Sequence, residues 1–372
     1  MKMNEVLKLN AGEWVEVRSK EEILATLDHR GELENLPFMP EMLQFCGRRF
    51  RVYKRAHKSC DTVNRTGGVK MKNAVHLDGL RCLGEAHGGC QAGCLIFWKE
   101  SWLKRTEVAF PQPVIGTKHE ASNAGELKKD CELRVWAATK SQTQADPKDT
   151  TYSCQATRLP QATTPLRWWD VRQYVEDYTS GNVDLGRMFR GFSYMTFQKL
   201  ISAGIGLGRP LRWLYDKFQT LHGGIPYPRR YGRIPTNQPT PNLDLNLQPG
   251  ELVRVKRLEE ILPTLNRANK NKGMYFDAEE VPHCGKVFRV LGRIERIIDE
   301  RTGKMISMKS NSVILEGAYC QSRYSEKRLF CPRSIYTFWR EIWLERVGPA
   351  PSVDEHRPSQ TQSNQAMIES KV

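Results

Sequence analysis

No stretch of the 372-residue chain stays apolar for the ~18 residues a membrane-spanning helix needs. The opening MKMNEVLKLNAGEW has no apolar h-region, which predicts no secretory signal and a cytoplasmic protein. Without export, the ten cysteines are expected as reduced thiols or metal ligands, not as a disulfide framework. Acid is scarce: 42 acidic residues face 57 basic ones, for a net charge of +15. RNP, HTH and KH motifs are missing as well. The run Gly204-Ile205-Gly206-Leu207-Gly208 has only the outline of a dinucleotide fingerprint. Arg209 stands where its last glycine belongs, and a helical pattern precedes it instead of a strand, so it reads as a helix end. What is present is a globular mixture, 39% hydrophobic and 27% charged, long enough for two or three domains.

The strongest positive signal is an internal repeat. Gly12-Glu13-Trp14-Val15-Glu16-Val17 matches Gly250-Glu251-Leu252-Val253-Arg254-Val255, an offset of 238 residues. At the same offset Thr26, Phe38, Glu41, Cys46, Gly47 and Val52 meet Thr264, Phe276, Glu279, Cys284, Gly285 and Val290. Cys82 meets Cys320; after three extra residues, Cys90 meets Cys331, Trp98 meets Trp339 and Trp102 meets Trp343. An ordered series of this kind marks two copies of one domain, 8–108 and 246–348.

Each copy reads as mainly β. Trp14–Arg18 alternates as a half-buried strand does, and a short helix bearing Ile23, Leu24 and Leu27 follows. Phe50-Arg51-Val52 is a strand entered through a Cys-Gly turn. Arg293–Ile298 and Met305–Met308 form a hairpin with Gly303 in its turn, and Arg65-Thr66-Gly67-Gly68 is a similar turn in the first copy. Each copy closes on an aromatic helix or strand, with Trp98 and Trp102 at helical spacing. This order of GE-V-V opening, helical excursion, CG-FRV strand and hairpin resembles small SH3-like barrels, such as those of translation proteins. The whole chain resembles an uncharacterised bacterial tandem-repeat family. The fold implied is mainly β with α: two SH3-like small-barrel repeats joined by a partly helical linker. Such barrels host many functions, so the likeness assigns none.

Residues 109–165 are an irregular linker, with a candidate strand pair at Leu133–Ala137 and Thr151–Ala156. Residues 166–245 hold helices and a proline-rich connector. Trp168–Tyr178, the Leu185–Thr196 stretch and the Leu211–Leu221 stretch follow helical spacing, the last opened by Arg209-Pro210 and stopped by Gly223-Gly224. The tail 349–372 is rich in Pro, Ser and Gln and is expected to be disordered.

The first repeat carries the chemistry. RCLGEAHGGCQAGC spaces Cys82, His87, Cys90 and Cys94 as C-x4-H-x2-C-x3-C, and Cys60 precedes it. Thiolate and imidazole suit zinc, and four ligands close a tetrahedral structural site. In the second repeat Ile298, Arg328 and Ile335 stand where the first has Cys60, His87 and Cys94. The preferred zinc ligands are therefore Cys60, Cys82, Cys90 and Cys94, with His87 as substitute for any one. Buried free thiols are the plain alternative, and a redox or catalytic cysteine is a third. An iron–sulfur cluster ranks below zinc because no ferredoxin spacing occurs. Cys131 and Cys154, in the linker, receive no role.

GRRFRVYKRAHK holds Arg48, Arg49, Arg51, Lys54, Arg55 and Lys58 with no acid, a strand face that could contact nucleic acid or another anion. Its plain alternative is a solvated face on a basic protein. The basic helices at 184–221 pack on a neighbouring domain in one reading and touch an anionic membrane in a lesser one. The expected role is a non-catalytic binding or adaptor protein with a protein partner and structural zinc. The alternatives are a metal- or thiol-dependent accessory enzyme of a biosynthetic pathway, and nucleic-acid binding.

Overall fold

Strand β1 (Trp14–Val17) buries every second side chain, Val15 and Val17, and so forms one wall of a core. The computed structural model describes residues 6–64, 66–106, 132–141, 150–204, 206–325 and 327–348. The expected disordered tail and residues 109–131 of the expected linker lie outside the described residues. After β1, Ser19 and Glu22 cap helix α1 (Lys20–Leu24) reciprocally. Gly47, at φ +73°, turns the chain into β2 (Arg49–Arg55). Strands β3 (Ala74–Arg81) and β4 (Leu95–Lys99) continue the meander, and β5 (Leu103–Arg105) returns to pair with β1. The antiparallel sheet order is β4-β3-β2-β1-β5.

The second copy repeats this strand for strand. Its sheet comprises β6 (Leu252–Val255), β7 (Val287–Arg293), β8 (Ser312–Tyr319), β9 (Tyr336–Arg340) and β10 (Leu344–Arg346). The order is β9-β8-β7-β6-β10. The molecule is thus mostly β, with two curled half-barrel sheets and added helices. Both β2 and β7 carry a bulge, between Val52 and Lys54 and between Val290 and Gly292, that breaks the alternation.

The cores repeat as closely. Trp98 and Trp102 are fully buried and meet the Phe38 ring edge-on at 6.4 and 5.3 Å. Trp339 and Trp343 meet Phe276 at 6.3 and 5.2 Å. The expected helical face is absent here: Trp98 lies on strand β4 and Trp102 sits on the 3-10 turn Glu100–Trp102. Trp102 donates its indole N–H to Thr26 Oγ1 at 3.0 Å, and Trp343 donates to Thr264 at 3.0 Å.

Residues 132–137 are helical, which overturns the candidate strand there. The strand pair is instead Lys140–Ser141 with Thr151–Tyr152. Further on, Thr164–Leu166 extends the hairpin Lys58–Cys60/Gly68–Lys70 of the first repeat. Helix α2 (Arg172–Thr179) docks on the same repeat: Lys58 Nζ lies 2.5 Å from Asp177 Oδ2, both buried. Helices α3 (Leu185–Ser202) and α4 (Gly208–Leu221) follow, with Gly204 at φ +73° between them, as the helix-end reading of 204–208 expected.

The two half-barrels exchange elements reciprocally. The loop 82–94 of the first meets the hairpin 296–307 of the second: the Gln91 N–H donates to Arg296 O at 3.0 Å, and Gln91 Oε1 accepts from the N–H of Glu295 at 2.7 Å. The loop 320–335 of the second meets the hairpin 58–70 of the first: Lys58 donates to Leu329 O at 2.9 Å, and Arg333 to Thr62 Oγ1 at 2.9 Å.

Candidate metal centre

Three side chains from one repeat converge below the loop 82–94. Glu41 lies on the 3-10 turn Pro40–Phe45, Cys82 follows β3, and His87 ends the short turn Glu85–His87. Gly84, at φ +73°, permits the fold-back: a Cβ there would stand 2.0 Å from the Cys90 carbonyl oxygen.

Glu41 Oε1 lies 2.8 Å from His87 Nδ1, and it accepts from the Ala86 N–H at 3.1 Å and from Cys82 Sγ at 3.9 Å. One ligand atom from each of Glu41, Cys82 and His87 lies within 4.8 Å of the others, so the group could hold a metal ion. His87 Nε2 lies 3.1 Å from the Ser153 carbonyl, which can only accept, so this nitrogen carries a proton. Nδ1 then has two options: protonated, it completes an ion pair with Glu41; unprotonated, it presents a lone pair beside Glu41 and Cys82. A histidine that donates its far N–H to a carbonyl is the usual arrangement of a metal-binding imidazole.

Glu41 Oε2 is buried with no partner. Burial pushes this carboxyl's pKa up, but the hydrogen bond and charge of His87, with the Ala86 N–H, pull it below the usual value. Burial pushes the Cys82 thiol up, and the neighbouring Glu41 and Cys94 push it further. Metal entry would therefore displace a proton from sulfur.

A cavity of about 40 Å³ adjoins the group and is lined by Cys82, Cys90, Cys94 and Cys154. The structure thus brings Cys82 and His87 of the expected set together and keeps Cys90 and Cys94 on the same cavity, outside the tight group. Cys90 Sγ accepts the Ile298 N–H at 3.3 Å. Cys60 lies elsewhere, buried against Cys331, with Arg333 Nη1 4.0 Å from its sulfur. Hydrogen bonding from the Cys331 thiol, aided by the Arg333 and Arg328 charges, outweighs burial and lowers the Cys60 pKa to about 6. Sequence reasoning missed Glu41 and Cys154. The signal for Glu41 was an acid shared by both repeats within the apolar stretch PFMPEM.

The second repeat builds the counterpart without the donors. There Glu279 accepts from the N–H groups of Arg323 and Tyr324 at 3.0 and 2.6 Å. Cys320, Arg328, Ile335 and Cys60 line a cavity of about 140 Å³ where Cys82, His87, Cys94 and Ile298 line the first. A loop-anchoring glutamate is common to both copies, and the histidine is specific to one.

The six basic residues do not share a face. Arg49 pairs with Glu16 at 3.1 Å, Arg51 Nε donates to Gly12 O at 3.3 Å, and Arg48 lies over Phe50. After the bulge the side chains turn inward. Arg55 pairs with Glu100 and Glu176 at 3.1 and 2.9 Å, and Lys58 pairs with Asp177. Burial, with the like charge of Arg187, lowers the Lys54 pKa to about 8.

Among the described residues no helix is long and apolar enough to cross a membrane. No protein-family model and no curated protein matches the chain.

Proposed function

We propose that the chain is a non-catalytic binding or adaptor protein, built from two SH3-like modules and a helical linker. Its first module is stabilised by a structural metal ion, zinc by donor chemistry. The observation that carries this reading is the buried, unpartnered Glu41 Oε2 beside His87 and Cys82. A protonated His87 satisfies one carboxylate oxygen and leaves the other bare, at a cost of about 1–3 kcal/mol. A cation at the group would satisfy it. Glu41, Cys82 and His87 supply three ligands, and a fourth would come from one of the thiols that line the adjoining cavity, Cys90, Cys94 or Cys154. All nine cysteines among the described residues are free thiols, which suits a reducing compartment such as the cytoplasm.

Thermal unfolding of the metal-loaded and chelator-treated chain tests the reading. Chelation, Cys82→Ser and His87→Ala should each lower the transition, and chelation should add nothing to either variant. Cys320→Ser, at the equivalent position of the second repeat, should stay chelator-sensitive. A transition indifferent to chelator would defeat the reading.

A second reading rests on the ligand count. Three ligands beside a cavity are also what a catalytic zinc site keeps, with water in the fourth position. X-ray absorption separates the two: two or more sulfurs per ion support the structural site, and a single sulfur supports a metal-dependent enzyme.

A further inference from the structure

A polar cleft lies away from the cysteine loop, where the connector after α4 crosses the second repeat. Two adjoining cavities of about 300 and 700 Å³ share Arg229, Tyr275, Asp277, Ser325 and Arg328 in their walls. Six cations line the pair: Arg212, Arg229, Arg230, Lys270, Lys327 and Arg328. The lining acids are Asp61 and Asp277. Asp61 is occupied by its own turn, accepting from the Asn64 N–H at 2.8 Å and the Thr66 hydroxyl at 2.5 Å. Asp277 stands 3.9 Å from Arg328, and Asp216 pairs with Arg230. Among the described residues, no carboxylate lies within 4.0 Å of the charged groups of Arg212, Arg229, Lys270 or Lys327. The Nε atoms of Arg212 and Arg229 are, moreover, buried without a partner.

Repulsion among four uncompensated cations, with two guanidinium N–H groups left dry, costs free energy that an anion would return. The guanidiniums are also pre-placed. Arg212 lies 5.6 Å from the Tyr227 ring centroid, and Arg229 donates to the Tyr324 carbonyl. Two tyrosines on the lining leave their rings to solvent, Tyr231 70% and Tyr275 51% exposed. Cations that hold phosphates beside open aromatic faces form the surface that binds single-stranded nucleic acid without sequence preference.

We propose that this cleft binds single-stranded nucleic acid, its phosphates on Arg212, Arg229, Lys270 and Lys327 and its bases on Tyr231 and Tyr275. The proposal is independent of the metal site. It also differs from binding along the basic run 48–58, where Lys54, Arg55 and Lys58 turn inward.

Fluorescence polarisation of the full chain with a labelled ten-nucleotide uridine RNA tests it. Affinity should fall with salt at a log–log slope of about −3, the value for four phosphate contacts on a single strand. Lys270→Glu with Lys327→Glu should weaken binding at least tenfold while leaving the circular dichroism spectrum and melting transition unchanged. Tyr231→Ala should weaken it several-fold with the salt slope preserved. Arg49→Glu with Arg51→Glu should change it less than twofold beyond the general charge effect read from Lys104→Glu. Three results would overturn the proposal: no binding at low salt, binding lost in the Arg49/Arg51 variant and kept in the Lys270/Lys327 variant, or full displacement by ATP at concentrations equal to the RNA nucleotides, which would mark a mononucleotide site.

Discussion

The Arg81 guanidinium lies 3.9 Å from the centroid of the Tyr336 ring, one residue from each half-barrel. Its two arms donate to the carbonyl oxygens of Gly93 and Ser334 at 2.8 and 2.9 Å. Those carbonyls occupy matching positions of the two copies, 241 residues apart. Tyr319 stands in the second copy where the first has Arg81. One arginine thus serves both copies at the junction, and a faithful duplicate would place two cations in the same space.

Arg81→Ala should therefore lower the stability of the whole chain by about 2–4 kcal/mol in chemical denaturation, from two charge-assisted hydrogen bonds and a cation–π contact. Arg81→Lys should recover little, because one ammonium cannot fork to both carbonyls with the same geometry. A loss confined to one repeat, or none, would show that the junction is not coupled through this side chain.

Asp177 and Lys58 form a buried pair that fixes α2 to the first repeat. Asp177→Ala strands the ammonium and should cost about 3–5 kcal/mol. Asp170→Ala breaks the solvated pair with Arg172 and should leave the denaturation midpoint unmoved. Equal effects of the two substitutions would contradict the docked position of α2.

Two buried histidines set an acid limit. Burial lowers the pKa of His76 to about 3 and of His283 to about 4, from 6.5. The unfolded chain takes up these protons first as pH falls, so the stability they confer is complete above pH 6.5 and declines below it. Each ring should contribute a slope of about 1.4 kcal/mol per pH unit. Urea midpoints measured from pH 6.5 down to about 5, above most carboxylate titration, should fall, and His76→Gln should remove one of the two slopes. A flat profile would place both rings in contact with water.

Cys60 is expected to ionise first among the buried thiols. Thiolate ultraviolet absorbance should appear with a midpoint of about 6 and vanish in Cys60→Ser. Cys94→Ser should leave that phase intact, since burial raises the Cys94 pKa to about 12. The phase persisting in Cys60→Ser would assign the low pKa elsewhere.

Much of the fold was legible because duplication prints it twice. The segment Arg49–Arg55 maps onto Val287–Arg293 at the 238 offset, as do Thr26 and Phe38 onto Thr264 and Phe276, and the tryptophan pairs follow at 241. Less was legible where packing between the copies decides. Cys60 sits on a hairpin that leans across to the other copy, so sequence proximity to Cys82 says nothing about where its sulfur goes. Cys154 reaches the cavity from a distant segment with no periodic pattern of its own. The basic run looked continuous because a bulge at Tyr53 is invisible in residue types; it turns Lys54 and Arg55 inward toward their partners. The aromatic segment Ile96–Leu103 also misled: the spacing of four between Trp98 and Trp102 fits a helix, yet a strand followed by a 3-10 turn brings these two tryptophans onto one phenylalanine.

The metal site is tested most directly by elemental analysis of the full chain, purified without a metal-chelating column and dialysed against metal-free buffer. The account predicts about one zinc per chain, absent in Cys82→Ser and in His87→Ala and retained in Cys320→Ser and Cys60→Ser. A metal-free chain that melts at the same temperature with and without added zinc would contradict it, and would leave Glu41 and His87 as a buried ion pair that anchors a loop.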